Sequence, residues 1–174
     1  MAAAILGQLF LGWSMDHMLP DHSTAHAGVL AIHVSLGLTL LLFAVLRVAV
    51  RLTGGRAAPS PYLPKLERQA ALATQGLLYG LMFALPLTGW TMVSARSSPL
   101  RFWGLSWPKL PGLGFMTGPE HLAIRHALTL VHGGLLGWAL VALVALHVAG
   151  AIKHQFDGRP VLWRMAPRGR PPEA

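Results

Sequence analysis

The chain reads as an all-α integral membrane protein, a four-helix bundle whose first helix is shortened. Composition is the first reason: of 174 residues, 53% are hydrophobic and only 11% are charged. A soluble domain of this length needs a solvated face rich in Lys, Glu, Asp and Arg, and the sequence lacks one. Placement is the second, because the few charges fall between long apolar runs rather than within them. Length is the third: three of these runs reach the roughly 20 residues needed to cross about 30 Å of hydrocarbon. Helices are expected at about 1–15, 27–52, 69–95 and 122–155, in a single transmembrane domain covering 1–174 with a basic tail at 156–174.

The first segment, MAAAILGQLFLGWSM, is apolar but covers only about 22 Å at 1.5 Å per residue. A signal peptide needs a basic start and a small-residue cleavage site, and neither is clear here. Two readings stand: a short interfacial helix, or a spanning helix whose beginning lies upstream of Met1, which we prefer. The run 27–50 is broken only by His33 and Arg47, and the run 69–95 carries no charge. Pro86 lies inside the latter and is expected to kink it, which membrane helices tolerate. The run 127–152 is uncharged apart from what His132 and His147 carry.

The connections set an orientation. The link after the second helix holds Arg51, Arg56, Lys65 and Arg68 around a Pro-rich middle, AAPSPYLP. The tail holds Lys153, Arg159, Arg164, Arg168 and Arg170. On the other side, 16–26 has no Lys or Arg, and the loop 96–120 has Arg96, Arg101 and Lys109. By the positive-inside rule the basic link and tail are cytoplasmic. Trp103 and Trp107 in the long outer loop read as an interfacial aromatic belt. The formal charge of +8 clusters at span ends, where it meets lipid headgroups, so nucleic acid is not an expected partner. With no cysteines, disulfides, iron–sulfur clusters and thiol chemistry are excluded.

Nine histidines are many for such a chain, and three of them, His33, His132 and His147, fall inside spans. Ionisable side chains there are costly and usually face a cavity or a cofactor. Imidazole is a good axial ligand for haem iron, and helix bundles build such sites from facing helices. His33 and His132 lie at matching depth toward the outer side, while His147 lies near the cytoplasmic side. The 15 residues between His132 and His147 rise about 22 Å and leave the rings about 60° apart around an ideal helix. Gly133 and Gly134 could host a bulge that corrects this. His126 is the rival to His132 at a shallower depth, and His17, His22, His26 and His121 read as solvated loop or helix-start residues. Proton relays and metal transporters usually add intramembrane carboxylates, which the spans lack.

Three segments, HVSLGLTLLLFAVLRVAVRL, LLYGLMFALPLTGW and ALHVAGAIKHQFDGRPVLWRM, together resemble the bacterial cytochrome b561 family over almost the whole chain. The resemblance implies a four-helix, di-haem, quinone-linked protein of the bacterial inner membrane with bis-histidine b-type haems. It places His33 on the second-helix haem ligand, His147 on the deeper last-helix ligand, and His154 on the first histidine of a pair at the quinone site. The family's outer ligand on the last helix precedes the deeper one by about 14 residues, where this chain has Gly133. His132 therefore requires a small helix irregularity. Gln75 stands where relatives often carry His, and Gln155 replaces the second histidine of the pair. The family's first-helix His, partner to the position of His147, would precede Met1.

The expected function is a membrane b-type cytochrome moving electrons between an outer-face donor and ubiquinone, or another membrane quinone, in a respiratory chain. An outer haem b would sit on His33 and His132 and an inner one on His147, with His154 at the quinone site. Three alternatives stand beside it. One is a superoxide oxidase that reduces ubiquinone, with Arg96, Arg101, Lys109 and Arg125 steering the anion. Another is the cytochrome b subunit of a hydrogenase or dehydrogenase, bound to a redox partner subunit. The last is a haem-free structural or proton-relay membrane protein. A homodimer is compatible with each.

Overall fold

The computed structural model describes residues 1–21, 23–54, 64–113 and 118–157. His22, Arg56, most of the Pro-rich link, and the tail residues Arg159, Arg164, Arg168 and Arg170 lie outside the described residues. Four helices carry the fold: α1 (Ala2–His17), α2 (Thr24–Thr53), α3 (Lys65–Ser94) and α4 (Leu122–Phe156). Among the described residues α2, α3 and α4 are long and apolar enough to cross a membrane. Their outward faces bear large apolar side chains such as Leu42, Phe43, Leu77, Leu135 and Trp138, all exposed on the isolated chain. A soluble monomer does not expose apolar surface on that scale, and a bilayer covers it.

Helix ends follow local chemistry. The Ser23 Oγ accepts the backbone N–H of His26 at 3.1 Å, a side-chain cap that starts α2 ahead of its apolar run. Pro64 precedes α3, and Glu67 stands in its first turn, where a carboxylate meets the helix dipole favourably. Helix α3 runs unbroken through Pro86, whose missing N–H costs one backbone bond. Two residues on, the Thr88 hydroxyl lies 2.7 Å from the Ala84 carbonyl and 2.9 Å from that of Leu85, so it binds back onto the same turn.

Each helix packs chiefly on its neighbours in the chain. The small inner core is Leu38, Leu40 and Ala44 of α2 with Leu81 of α3 and Leu140 of α4. Helix α1 joins through Gln8, whose side-chain amide donates to the His33 carbonyl at 2.8 Å. Gly37 makes room for that amide, since a Cβ there would stand 3.0 Å from the Gln8 nitrogen. At the far end, Lys153 of α4 bridges Glu67 of α3 at 2.9 Å and Asp157 at 3.0 Å.

The α3–α4 connection folds back onto the bundle. Strands β1 (Arg101–Phe102) and β2 (Leu105–Ser106) form a two-residue hairpin through Trp103 and Gly104, with φ of 49° and 87°. Two consecutive positive φ values are the I′ geometry that suits the twist of a hairpin. A bulky residue there is strained, and Trp103 is the one non-glycine at positive φ among the described residues. Helix α2 holds it: the Trp103 N–H donates to Ser35 Oγ at 3.0 Å, and its indole N–H donates to Thr39 Oγ1 at 3.1 Å. The sequence places Trp103 in an interfacial belt. The structure docks it on α2, where both of its N–H groups find hydroxyls. Trp107 packs against Phe102 and Trp90, with ring centres 4.8 and 6.3 Å away.

Replacing both hydroxyls in a Ser35→Ala/Thr39→Val variant removes two hydrogen bonds of about 1 kcal/mol each. Trypsin cleavage after Arg101 in membrane-embedded protein is expected to quicken by roughly 10-fold or more. An unchanged rate contradicts the anchoring role.

Candidate functional site

Helix α4 is not one regular helix. Leu122–Thr129 is α-helical, Leu130–Gly137 is a π-helix, and Trp138–Phe156 is α-helical again. A π-turn closes its hydrogen bonds one residue further on and so absorbs one extra residue, and such turns concentrate at functional sites. The segment LVHGGLLG holds three glycines, poor α-helix formers that give up little when the regular ladder is broken. The segment contains His132 and continues toward His147. With one residue absorbed, their spacing of 15 acts on the helix as 14 steps. The irregularity that His132 requires is present at His132.

The π-turn packs against α3, and at its level the structure brings two of the singled-out histidines together. The His33 and His132 rings stand 6.2 Å apart between centres, with their planes at 79°. The His132 ring faces Thr88 of α3. Its Nδ1 lies 3.0 Å from the Thr88 hydroxyl, whose own proton goes to the Ala84 or Leu85 carbonyl. With the hydroxyl proton so directed, the hydroxyl accepts from the Nδ1 N–H and Nε2 keeps a free lone pair. On the other side, His33 Nδ1 and Gln8 Oε1 are both buried without a hydrogen-bond partner among the described residues. Orphaned polar atoms in a buried site are uncommon and ask for an explanation.

Two glycines flank the rings. A Cβ at Gly89 would lie 3.0 Å from His132 Cε1, and one at Gly12 would lie 3.5 Å from His33 Cε1. Around the pair opens a cavity of about 640 Å³, bounded by α1, α2, α3 and the π-segment of α4. Its walls are mainly apolar, with Leu38, Leu81, Met82, Leu85 and Val141 among them. Asp16, His17, His26 and Arg96 add polar groups near the helix ends. The size and the few polar groups are those of a small-molecule or cofactor site.

The remaining candidates lie elsewhere. His147 is exposed on α4 and does not line this cavity. His154, on the last turn of α4, places Nδ1 3.8 Å from Glu67 Oε2. His126 is exposed and outside the cavity, so His132 rather than His126 faces His33. Gln75 lines a separate small cleft between α2 and α3. His17 is exposed at the end of α1 and His26 is half-buried in the first turn of α2, where the Ser23 cap starts the helix; both border the cavity. Gln8, Gly12, Thr88 and Gly89 were not singled out from the sequence. A glycine or hydroxyl at the right height in an apolar run leaves no mark until the opposing histidine is placed.

Comparison with known proteins gives a consistent answer. The sequence matches the family described as prokaryotic cytochrome b561 over residues 1–168. It is similar to cytochrome b561 homolog 2 of Escherichia coli (strain K12), at 30% identity over 138 residues, which cover 77% of this chain and 68% of that protein. With three membrane-capable helices and a cavity walled by four, the chain belongs to the prokaryotic cytochrome b561 family of multi-pass membrane b-type cytochromes that carry electrons.

Proposed function

We propose that His33 and His132 are the two axial ligands of a b-type haem held in the 640 Å³ cavity. The chain then passes electrons between a donor at the hairpin end and a membrane quinone at the Lys153 end. The observation that carries this is the 6.2 Å between the ring centres. Two imidazoles bound to one metal ion from opposite sides stand roughly 6.3 Å apart, given metal–nitrogen bonds of about 2.0 Å. Among the described residues no three His, Asp or Glu side chains converge on a point, so a metal site made of protein ligands alone is not built. A haem would need only a pair of protein ligands rather than a full coordination set, and His33 and His132 would supply them.

Haem, when bound, supplies a one-electron redox couple. The residues around it set the conditions. Thr88 fixes the His132 tautomer and ring plane, as second-shell partners of ligating histidines do. Gly12 and Gly89 leave the faces beside the rings open. The apolar walls exclude water and lower the local dielectric. Arg96 places positive charge at one end of the cavity, suited to the carboxylates of a porphyrin edge.

His147 would ligate a second haem, about 22 Å along α4 from His132. His154 would serve a ubiquinone-type site, where Glu67 and Lys153 beside it can exchange protons with the cytoplasm. By the positive-inside rule the basic link and tail support a cytoplasmic C-terminus, which fits a bacterial inner membrane and a respiratory chain. A second reading, oxidation of superoxide with quinone reduction, draws on Arg96 at the cavity edge, where a cation can steer a small anion.

His33→Ala and His132→Ala variants are each expected to lose the haem of this cavity in a pyridine haemochrome assay, while His126→Ala keeps the wild-type content. Retention of full haem by His132→Ala defeats the assignment. Gly89→Val is expected to lower haem content with helicity unchanged by circular dichroism, because its side chain enters the His132 ring position. Thr88→Val removes an acceptor that makes the imidazole a stronger donor, so a redox titration is expected to show a higher midpoint potential. A lower or unmoved potential contradicts that role.

A further inference from the structure

Near the other end of α2 stands a second polar cluster that the proposed electron path does not use. Arg47 lies about 9 Å before the end of α2, inside the apolar length of that helix. Its Nε donates to the hydroxyl of Tyr79 on α3 at 2.8 Å. Arg51, one turn further, lies with its guanidinium carbon 5.4 Å from the same ring centre, and that of Arg47 lies at 5.8 Å. Both cations thus converge on one tyrosine. Among the described residues neither is paired with a carboxylate.

Like charges four residues apart on a helix repel, and a charge at membrane depth is costly unless it is matched. Tyr79 gives them a shared surface but no counter-charge. Beside it opens a cleft of about 230 Å³ lined by Val48, Arg51, Leu72, Gln75, Gly76 and Tyr79. The flanking side chains Leu46, Val50, Leu72 and Leu77 are exposed and apolar, so the cleft opens onto the lipid-facing surface. An occupant must therefore bring negative charge and fork-shaped acceptors for two guanidiniums, and also tolerate hydrocarbon around it.

We infer that Arg47, Arg51 and Tyr79 form a binding site for the phosphate of an anionic phospholipid, with an acyl chain lying along Val48 and Leu72. A planar guanidinium binds phosphate oxygens bidentately, and basic pockets between membrane helices take acidic lipid headgroups. The lipid neutralises the Arg47–Arg51 repulsion and ties α2 to α3 at this level. The site is separate from the His33–His132 cavity and does not depend on the haem assignment.

Native mass spectrometry of the detergent-purified chain tests it, with phosphatidylglycerol and phosphatidylcholine as probes. Wild-type protein is expected to retain phosphatidylglycerol roughly 10-fold better than phosphatidylcholine at equal concentration. The Arg47→Gln/Arg51→Gln variant is expected to lose that preference with an unchanged Soret band, while Arg68→Gln, outside the cleft, keeps it. Should the double variant fail to fold, Arg51→Gln and Tyr79→Phe give the same reading singly, each with a reduced preference. Equal retention of the two lipids by wild type, or an undiminished preference in the variants, overturns the site. Displacement of phosphatidylglycerol by millimolar inorganic phosphate overturns the lipid source and makes a soluble anion the occupant.

Discussion

An imidazole in hydrocarbon has two ring nitrogens to satisfy; Thr88 meets one on His132, while His33 Nδ1 is buried without a partner among the described residues. The approach of the two rings to 6.2 Å depends on the π-turn at Leu130–Gly137, which sets where the second ring projects from α4. Thr88 then orients that ring from α3, and it stands two residues beyond a proline that loosens the same stretch of backbone. On the other side Gln8 holds α1 to the His33 carbonyl, and Gly37 lets it come close. Every helix of the bundle therefore contributes to one level of the structure, and the cavity opens at that level.

The rest of the chain supports this level from above and below. The hairpin, strained at Trp103, lies on α2 through Ser35, two residues from His33. Trp107, just beyond it, packs against Phe102 of the hairpin and Trp90 of α3, which ties the connection to that helix as well. At the opposite end the Glu67–Lys153 pair joins α3 to α4. That pair is solvent-exposed and contributes little to stability by itself, so its importance lies in what stands beside it. Arg47 and Arg51 form a third polar station on the lipid side of α2 and α3.

Much of this was legible in the residues. The spans α2 to α4 showed because hydrocarbon tolerates no charged breaks, and the apolar runs could mean little else. His33 and His132 stood out because an ionisable group at that depth needs a reason. The spacing between His132 and His147, one residue longer than the family's, together with Gly133 and Gly134, pointed to a local irregularity in the last helix. Its form as a π-helix was not legible, since glycine pairs also occur in ordinary turns and kinks. The docking of Trp103 was hidden as well: aromatic residues in a loop carry no sign of which helix hydroxyl will take their N–H groups. Gly89, Gly12 and Thr88 acquire meaning only from the ring opposite them, and one sequence without its fold does not show that pairing.

Electron paramagnetic resonance of the oxidised, purified protein tests the His33–His132 assignment most directly, because it reports the ligands of ferric haem rather than haem content. The account predicts a low-spin signal of bis-imidazole type that disappears in His33→Ala, with any haem retained at that site becoming high-spin. A low-spin signal that persists unchanged in both His33→Ala and His132→Ala would show that other residues bind the iron, and the site described here would have a different purpose.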